Sequence, residues 1–533
     1  MSNPVLEVQF AVIGSGPGGM SAAAHAAKLG LSHVLLESTQ AHSNTIQRYQ
    51  KGKHVMAEPG VLPLRSELEF EANTREHILE RWLTGMEAVG VNIQYGSEVV
   101  GIEGEKGNFT ITTKSGDTVK AEFVILGIGM QGNPRKLGCD GEDLPFIQYT
   151  LDDPDEYKNE HIVVVGAGDA AIENAVALAK QNTVYIVNRR DEFARAKQGN
   201  LDLITGAIES GKVQCFYETN VGSVNEKGNL AGTFNLLTPQ GETPVPCDRI
   251  IARLGAIPPR KFVESCGIEF PNADPTAIPE LTAQYESNVP GLYVIGALGG
   301  YPLIKQAMNQ GLEVVEYAIG NEIKPADHPL LDAKLEHLPF DLDVDGKLEL
   351  IQKRVPIFND INALMFRELI IDSDVPCPAE DEIVFNKNDY TSTFFSIVNG
   401  TVDVEIGEDH WLTLGQGQFF GEMGLVSGRR RTATVKAGKN CVLVEVPRRT
   451  MKKLINSVDS VKRGIDEAFI LRTIQSRFAP NTPATELQPI AEKAEIKQYK
   501  GGDIIFEEGD KAEHLHLIRS GSVTIQRQIG GRE

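Results

Sequence analysis

The sequence predicts a mixed fold: an α/β region holding two parallel-sheet units, followed by antiparallel β jelly-roll structure. Three observations carry this expectation. A strand runs directly into a glycine-rich turn and a helix at residues 8–29, and the same order returns at 161–179. Beyond about residue 380 the pattern changes to short strands and turns, part of which recurs 121 residues later. Strand–helix alternation builds parallel sheets covered by helices, whereas closely spaced short strands build sandwiches and barrels.

The first unit opens with the mostly apolar strand Val8–Ile13, which enters Gly14-Ser15-Gly16-Pro17-Gly18-Gly19. A helix follows from Met20 to about Leu29, then a strand, Val34–Leu36, ending on Glu37. Gly14 permits the tight turn, Gly16 lets a pyrophosphate reach the backbone, and Gly19 allows helix and strand to pack closely. The helix N-terminus offers free N–H groups and a positive dipole end to phosphates. Glu37, 23 residues past Gly14, stands where a carboxylate can accept hydrogen bonds from an adenosine ribose. A Rossmann-like dinucleotide site is the expectation.

The second unit repeats the order. His161–Val165 leads into Gly166-Ala167-Gly168-Asp169-Ala170-Ala171, then a helix through Ala179 and a strand, Val184–Val187. This strand ends on Asn188-Arg189-Arg190 in place of a carboxylate. Guanidinium groups suit a 2′-phosphate, so Arg189 and Arg190, with Arg195 as a third, point to NADPH over NADH, and Gly166, Gly168 and Ala171 to its pyrophosphate turn.

With two such sites on one chain, residues 1 to about 325 resemble the thioredoxin-reductase branch of the two-dinucleotide-fold flavoproteins. Asn188-Arg189-Arg190-Asp191-Glu192-Phe193 is similar to that branch's NADPH signature, with Asn188 where a His is usual. Phe123–Gly129 and Gly291–Gly296 resemble the strands at which the chain leaves and re-enters the FAD domain. The resemblance implies an FAD domain of residues 1–154 and 251–325, an inserted NADPH domain of 155–250, and a homodimer. It places FAD on Gly14, Gly16, Gly19, Glu37, Gly129, Gly296 and Gln306, the last at the start of a helix aimed at the flavin pyrimidine. Ala297 stands where such flavoproteins usually carry an Asp for the ribityl chain, so one FAD contact is missing.

A thioredoxin reductase also needs a C-x-x-C dithiol before the second glycine turn, and residues 149–157 contain no Cys. The six cysteines, at 139, 215, 247, 266, 377 and 441, are scattered, which suits a reducing cytoplasm and argues against a redox dithiol or a metal site. Bacillithiol-disulfide reductases keep a Cys inside the first glycine turn, where this chain has Gly18. Ferredoxin–NADP reductases of thioredoxin-reductase type need no cysteine and match this chain best. No catalytic side chain is assigned beyond the flavin. His42 and Tyr49, in the segment after the ribose strand, are candidates for proton donation or stacking, or simple packing residues.

Residues 326–352 read as a Pro-containing, acidic linker with little buried surface. Residues 353–475 then resemble a cyclic-nucleotide-binding domain. Phe420–Val435 is similar to that family's phosphate-binding cassette, which implies a backbone anion nest after Gly421, Glu422 on the ribose 2′-hydroxyl, Arg431 on the cyclic phosphate and Thr432 beside it. Helices are expected at 448–457 and 461–478. Residues 382–385 and 399–402 recur as 503–506 and 520–523, so 484–533 is expected to begin a second, incomplete barrel, of a fragment or without function.

The net charge of −21 disfavours nucleic acid, and no run of eighteen apolar residues predicts a membrane span. The expectation is a cytoplasmic enzyme passing electrons from NADPH through FAD to an unidentified small or protein acceptor, modulated by cAMP or cGMP. Ferredoxin–NADP-reductase-like or bacillithiol-disulfide-reductase-like activity is one alternative, and an NADPH and cyclic-nucleotide sensor or docking protein is another.

Overall fold

Runs of consecutive apolar residues dictate strands covered on both faces. Phe10–Ile13, Val34–Leu36 and Val124–Leu126 are all buried and lie side by side. The structure, a computed structural model, describes residues 5–526 except 131–132, 194–195, 197, 228–229, 274–276, 392, 408–409, 428–429, 480–481, 498, 500–501, 512–513 and 520. The chain divides into two compact units between Ala326 and Asp327.

In the first unit, strand Leu6–Ile13 lies between His33–Leu36 and Thr118–Leu126, parallel to both. The far edge of Thr118–Leu126 is shared. Its first half pairs antiparallel with Phe109–Thr113, its second half parallel with Leu292–Val294. The chain thus returns to this sheet after building another. That second sheet runs in the order Ile147–Gln148, Arg249–Ala252, His161–Val165, Thr183–Val187, Val213–Phe216, all parallel. It takes in strands at 147–148 and 249–252, so it begins before residue 155 and extends past 250. The helices Asp169–Leu178 and Gln198–Glu209 cover one face. An antiparallel meander, 220–247, covers the other by packing Val224, Phe234, Leu236 and Val245 onto Val163 and Ile250.

The second unit holds a four-stranded and a three-stranded antiparallel sheet. The chain passes from one to the other between Phe394–Asn399 and Thr401–Gly407, as a jelly roll requires. Between the sheets lie Phe385, Phe395, Ile397, Val402, Phe420 and Leu443. The helices Arg448–Ser457 and Asp459–Arg477 follow, close to the expected spans.

Two expectations need correction. Residues 326–352 are no linker: they form the helices His328–Leu335 and Val344–Arg354. Leu331, Leu335 and Leu338, then Val344, Leu348, Ile351 and Val355, recur at helical spacing and are buried in the second unit's core. The described residues of 484–533 do not show a second barrel. They begin with the helix Ala484–Glu492, and no strand occurs among the described residues after it. In the first barrel the equivalent strands pair with residues 435–437 and 442–446. In the later segment Ile504, Phe506 and Ile525 are exposed. No helix among the described residues is long and apolar enough to cross a membrane.

Candidate functional site

The first glycine turn sits at the carboxyl end of Leu6–Ile13 and feeds the helix Pro17–Lys28. Gly14 has φ +93°, and a Cβ there would stand 2.9 Å from Gly127 O. A Cβ on Gly19 would lie 1.9 Å from Gly14 O, which excludes any larger residue. Gly16 leaves its outer side open, its would-be Cβ meeting only Gly127 O at 3.5 Å. Next to the turn a cavity of about 240 Å³ is lined by Gly14, Leu36, Ser38, Ser97, Ile128 and Phe262.

Glu37 closes the second strand and is buried. Its carboxylate accepts from the Ser15 N–H (3.0 Å) and hydroxyl (2.6 Å), and from the Thr39 N–H and hydroxyl (both 2.8 Å). Burial alone would push its pKa up. The Ser15 and Thr39 hydrogen bonds outweigh burial and hold the carboxyl below its ordinary value.

Farther along, Gly129 has φ +64° and Gly296 φ +70°. The Gly296 N–H donates to Gln310 Oε1 at 2.7 Å, which ties the returning strand to the helix Ile304–Ala318. Ala297 lies in the one-turn 3₁₀ segment Gly296–Gly299. Gln306, in the first turn of the long helix, has its Oε1 buried without a partner among the described residues. A buried polar atom left unpaired is costly, so this one fits a group that donates to it. The open glycine turn, the cavity beside Glu37 and this orphan acceptor together fit an extended dinucleotide such as FAD.

The second turn has the same build. Gly166 has φ +134°, and a Cβ there would meet Arg253 O at 2.4 Å. Gly168 faces open space, and Ala171 is buried against the strand. Asn188 is buried, accepting from the Arg190 N–H (3.0 Å) and donating to Glu192 O (3.0 Å). It thereby shapes the turn that leaves Arg189 and Arg190 exposed. Arg195 lies outside the described residues. His42 is buried, and burial pushes its pKa down against the raising influence of Glu37, so it is neutral at pH 7. Tyr49 is pushed up by burial and by Glu173. Beside it Lys53, in a loop, pairs with Glu173 of the helix Asp169–Leu178 at 2.7 Å.

The cysteines form no pair. All six are free; burial pushes Cys215 and Cys247 up to about 12 and Cys266 and Cys441 up to about 11. At Gly18 a Cβ would touch Ala307 O and Ile295 Cδ1, both at 3.1 Å.

In the second unit, Gly421 has φ +86° and precedes the short helix Glu422–Ser427. Glu422 is buried and its Oε2 accepts from Arg472 Nη1 at 2.6 Å. Arg431 is buried between Phe385 and Phe395, and donates to the Thr391 and Thr393 hydroxyls at 2.7 and 2.9 Å. Its Nη1 has no hydrogen-bond partner among the described residues. Burial pulls its pKa down to about 10, against Glu445, Asp389 and Glu422, which leaves it charged at neutral pH. Thr432 is exposed, while Arg430 stacks on the Tyr390 ring.

Residues 11–296, more than half of the chain, match the family model for pyridine nucleotide-disulphide oxidoreductases. The chain belongs to that family. Residues 379–458 match the model for the cyclic nucleotide-binding domain. Relatives of this oxidoreductase include a ferredoxin–NADP reductase of Ignicoccus hospitalis, 26% identical over 55% of this chain and 90% of that protein. Another, of Gluconacetobacter diazotrophicus, is 26% identical over 60% of this chain and 94% of its own length. Among solved structures, the bacillithiol disulfide reductase of Staphylococcus aureus superposes with a TM-score of 0.53 at 20% identity, covering 59% of this chain and 99% of that one. At that identity it speaks for the fold of the oxidoreductase portion alone.

Sequence reasoning missed several groups that this pyridine nucleotide oxidoreductase brings to its sites. Ser15 stood in plain view between the glycines, Gln310 one helical turn past Gln306, and Thr391 and Thr393 beside a strand start. Arg472 carried a readable signal: it falls on the face of Ile465 and Phe469, a cation at an apolar position.

Proposed function

We propose that this protein is an FAD-dependent oxidoreductase that draws hydride from NADPH, and that electrons leave it for an acceptor other than an internal dithiol. The single observation that carries the reading is the contrast between the two strand ends. Buried Glu37 stands beside the first glycine turn, and Arg189 and Arg190 stand exposed beside the second. A carboxylate suits a free ribose, and guanidinium groups suit a 2′-phosphate.

FAD, when bound, supplies hydride acceptance and electron release. The chain's own residues do the rest. Glu37 keeps its backbone donors from Ser15 and Thr39 while a ribose hydroxyl replaces one of the rotatable hydroxyls of Ser15, Ser38 and Thr39. Gln306 offers its unpaired Oε1 and the N-terminal turn of its helix to the ring system. The scattered thiols, three of the six buried, favour a dithiol-free acceptor, and the relatives named for ferredoxin make a small redox protein of that kind the first to test. In the second unit, Arg431 and Glu422 support binding of a cyclic nucleotide that modulates the rate.

The test is an anaerobic titration of the purified protein with NADPH and then NADH, following flavin absorbance with and without cAMP or cGMP. Bleaching by NADPH well before NADH is the expected result. A protein that holds no flavin, or a flavin that neither donor reduces, would overturn the reading.

A further inference from the structure

A dinucleotide lies across the carboxyl ends of a parallel sheet, so strand order decides which side chains meet which of its parts. The second sheet runs Ile147–Gln148, Arg249–Ala252, His161–Val165, Thr183–Val187. These strands are parallel, so the residues that follow them share one edge. Arg189 and Arg190 come after Thr183–Val187, and the glycine turn at 166–168 comes after His161–Val165. With a 2′-phosphate at the arginines and a pyrophosphate at the turn, the ligand runs on in the same direction. Its nicotinamide half then reaches the ends of Arg249–Ala252 and Ile147–Gln148, where Arg253 and Tyr149 stand.

Arg253 is built into that edge. Its N–H donates to Val165 O at 2.7 Å, and its carbonyl abuts Gly166. The side chain is half-buried. Its guanidinium donates from Nη1 to Tyr149 O at 2.9 Å and forms no ion pair among the described residues. The neighbouring carboxylate, Glu173, is already engaged: Lys53 donates to its Oε2 at 2.7 Å and Asn200 to its Oε1 at 3.3 Å. Tyr49, the other titratable neighbour, is held neutral because burial pushes its pKa up. Among these four groups Lys53 and Glu173 cancel, which leaves the charge of Arg253 in surplus. A guanidinium in that position keeps unused N–H donors and a fixed positive field.

We propose that Arg253 stands at the nicotinamide end of bound NADPH, where its charge selects the neutral reduced ring over the cationic oxidised one. The inference rests on the NADPH reading of the second glycine turn. Hydride loss takes one proton and two electrons from the ring and leaves it positively charged. A guanidinium beside the ring opposes that charge, so the site holds the reduced dinucleotide and releases the oxidised one. Two unit charges about 6–12 Å apart, at an effective dielectric constant of about 20, shift affinity by about 10–100-fold.

The experiment is calorimetric titration of the FAD-loaded full chain, its flavin oxidised, with three ligands. They are NADP⁺; tetrahydro-NADP, whose ring is neutral and donates no hydride; and adenosine 2′,5′-bisphosphate, which lacks the nicotinamide half. The wild-type protein is expected to favour tetrahydro-NADP over NADP⁺ by about 10–100-fold. Arg253→Gln, which keeps an N–H for Tyr149 O, should bring that ratio to within about threefold, chiefly by tightening NADP⁺, and leave the bisphosphate unchanged. Arg253→Met should repeat the loss and Arg253→Lys should keep the wild-type ratio, so the result does not hang on the folding of one variant. Equal affinities in the wild type, an unchanged ratio in the neutral variants, or equal weakening of all three ligands would overturn the inference. A wild-type protein that binds none of the three would instead overturn the NADPH reading, and the inference with it.

Discussion

At the scale of single residues, the two dinucleotide turns differ in what their strand ends do, and each difference can be measured. Glu37 has a folded pKa below its ordinary 4.5, because the Ser15 and Thr39 hydrogen bonds overcome burial. The stabilisation it gives is therefore complete above about 4.5 and is lost as pH falls through the lower folded value. Glu37→Gln should cost about 1–3 kcal/mol near neutrality and progressively less toward strong acid, read from unfolding midpoints across pH. At the other turn, Arg189→Ala with Arg190→Ala is expected to reduce the preference for NADPH over NADH by about 10–100-fold while leaving flavin content unchanged. Steady-state kcat/KM with each donor checks it. Asn188 adds a control, since it shapes the arginine turn through Arg190 N and Glu192 O without facing solvent.

At the scale of elements, legibility followed whether a signal was local. Strand, glycine turn and helix at 8–29 and 161–179 were readable because each glycine answers a steric demand within the same few residues, as the Gly19 and Gly166 approaches show. The helices at 328–354 were misread because Pro329 and the acidic run at 341–345 look like punctuation. Pro329 in fact sits in the first turn of its helix, where its missing N–H does no harm, and Asp343 caps the next helix by accepting from Gly346 N at 2.8 Å. The apolar spacing from Leu331 to Val355 was the better guide. Leu335→Ala should accordingly destabilise the second unit by about 2–5 kcal/mol in urea unfolding, where a linker residue would cost nothing measurable. The repeat at 503–523 erred in the opposite way. Strand-like sequence states a propensity, and no strand pairing occurs among the described residues of this segment. Arg472 was legible as a cation at an apolar position, but its pairing with Glu422 was not, because the two lie fifty positions apart and only folding joins them.

At the scale of the whole molecule, a member of a family named for disulphide chemistry carries four thiols that burial pushes up to about 11 or 12. Native labelling near neutral pH with a thiol reagent should find Cys377 fast and Cys139 slow, with Cys215, Cys247, Cys266 and Cys441 reacting only after denaturation. Alkylation of the accessible thiols should leave NADPH-driven flavin reduction unchanged; a large loss would restore a thiol to the mechanism. The crowding around Gly18 also bears on the routes by which such enzymes exchange one chemistry for another. A side chain there meets the Ala307 carbonyl and the Ile295 methyl at 3.1 Å, so neighbours must yield by a few tenths of an ångström. Trimming Ile295 would relieve one of the two contacts and leave the Ala307 carbonyl, whereas Gly18→Cys alone must meet both. The two changes are therefore expected to be non-additive, which the unfolding midpoints of each variant and of the pair would show.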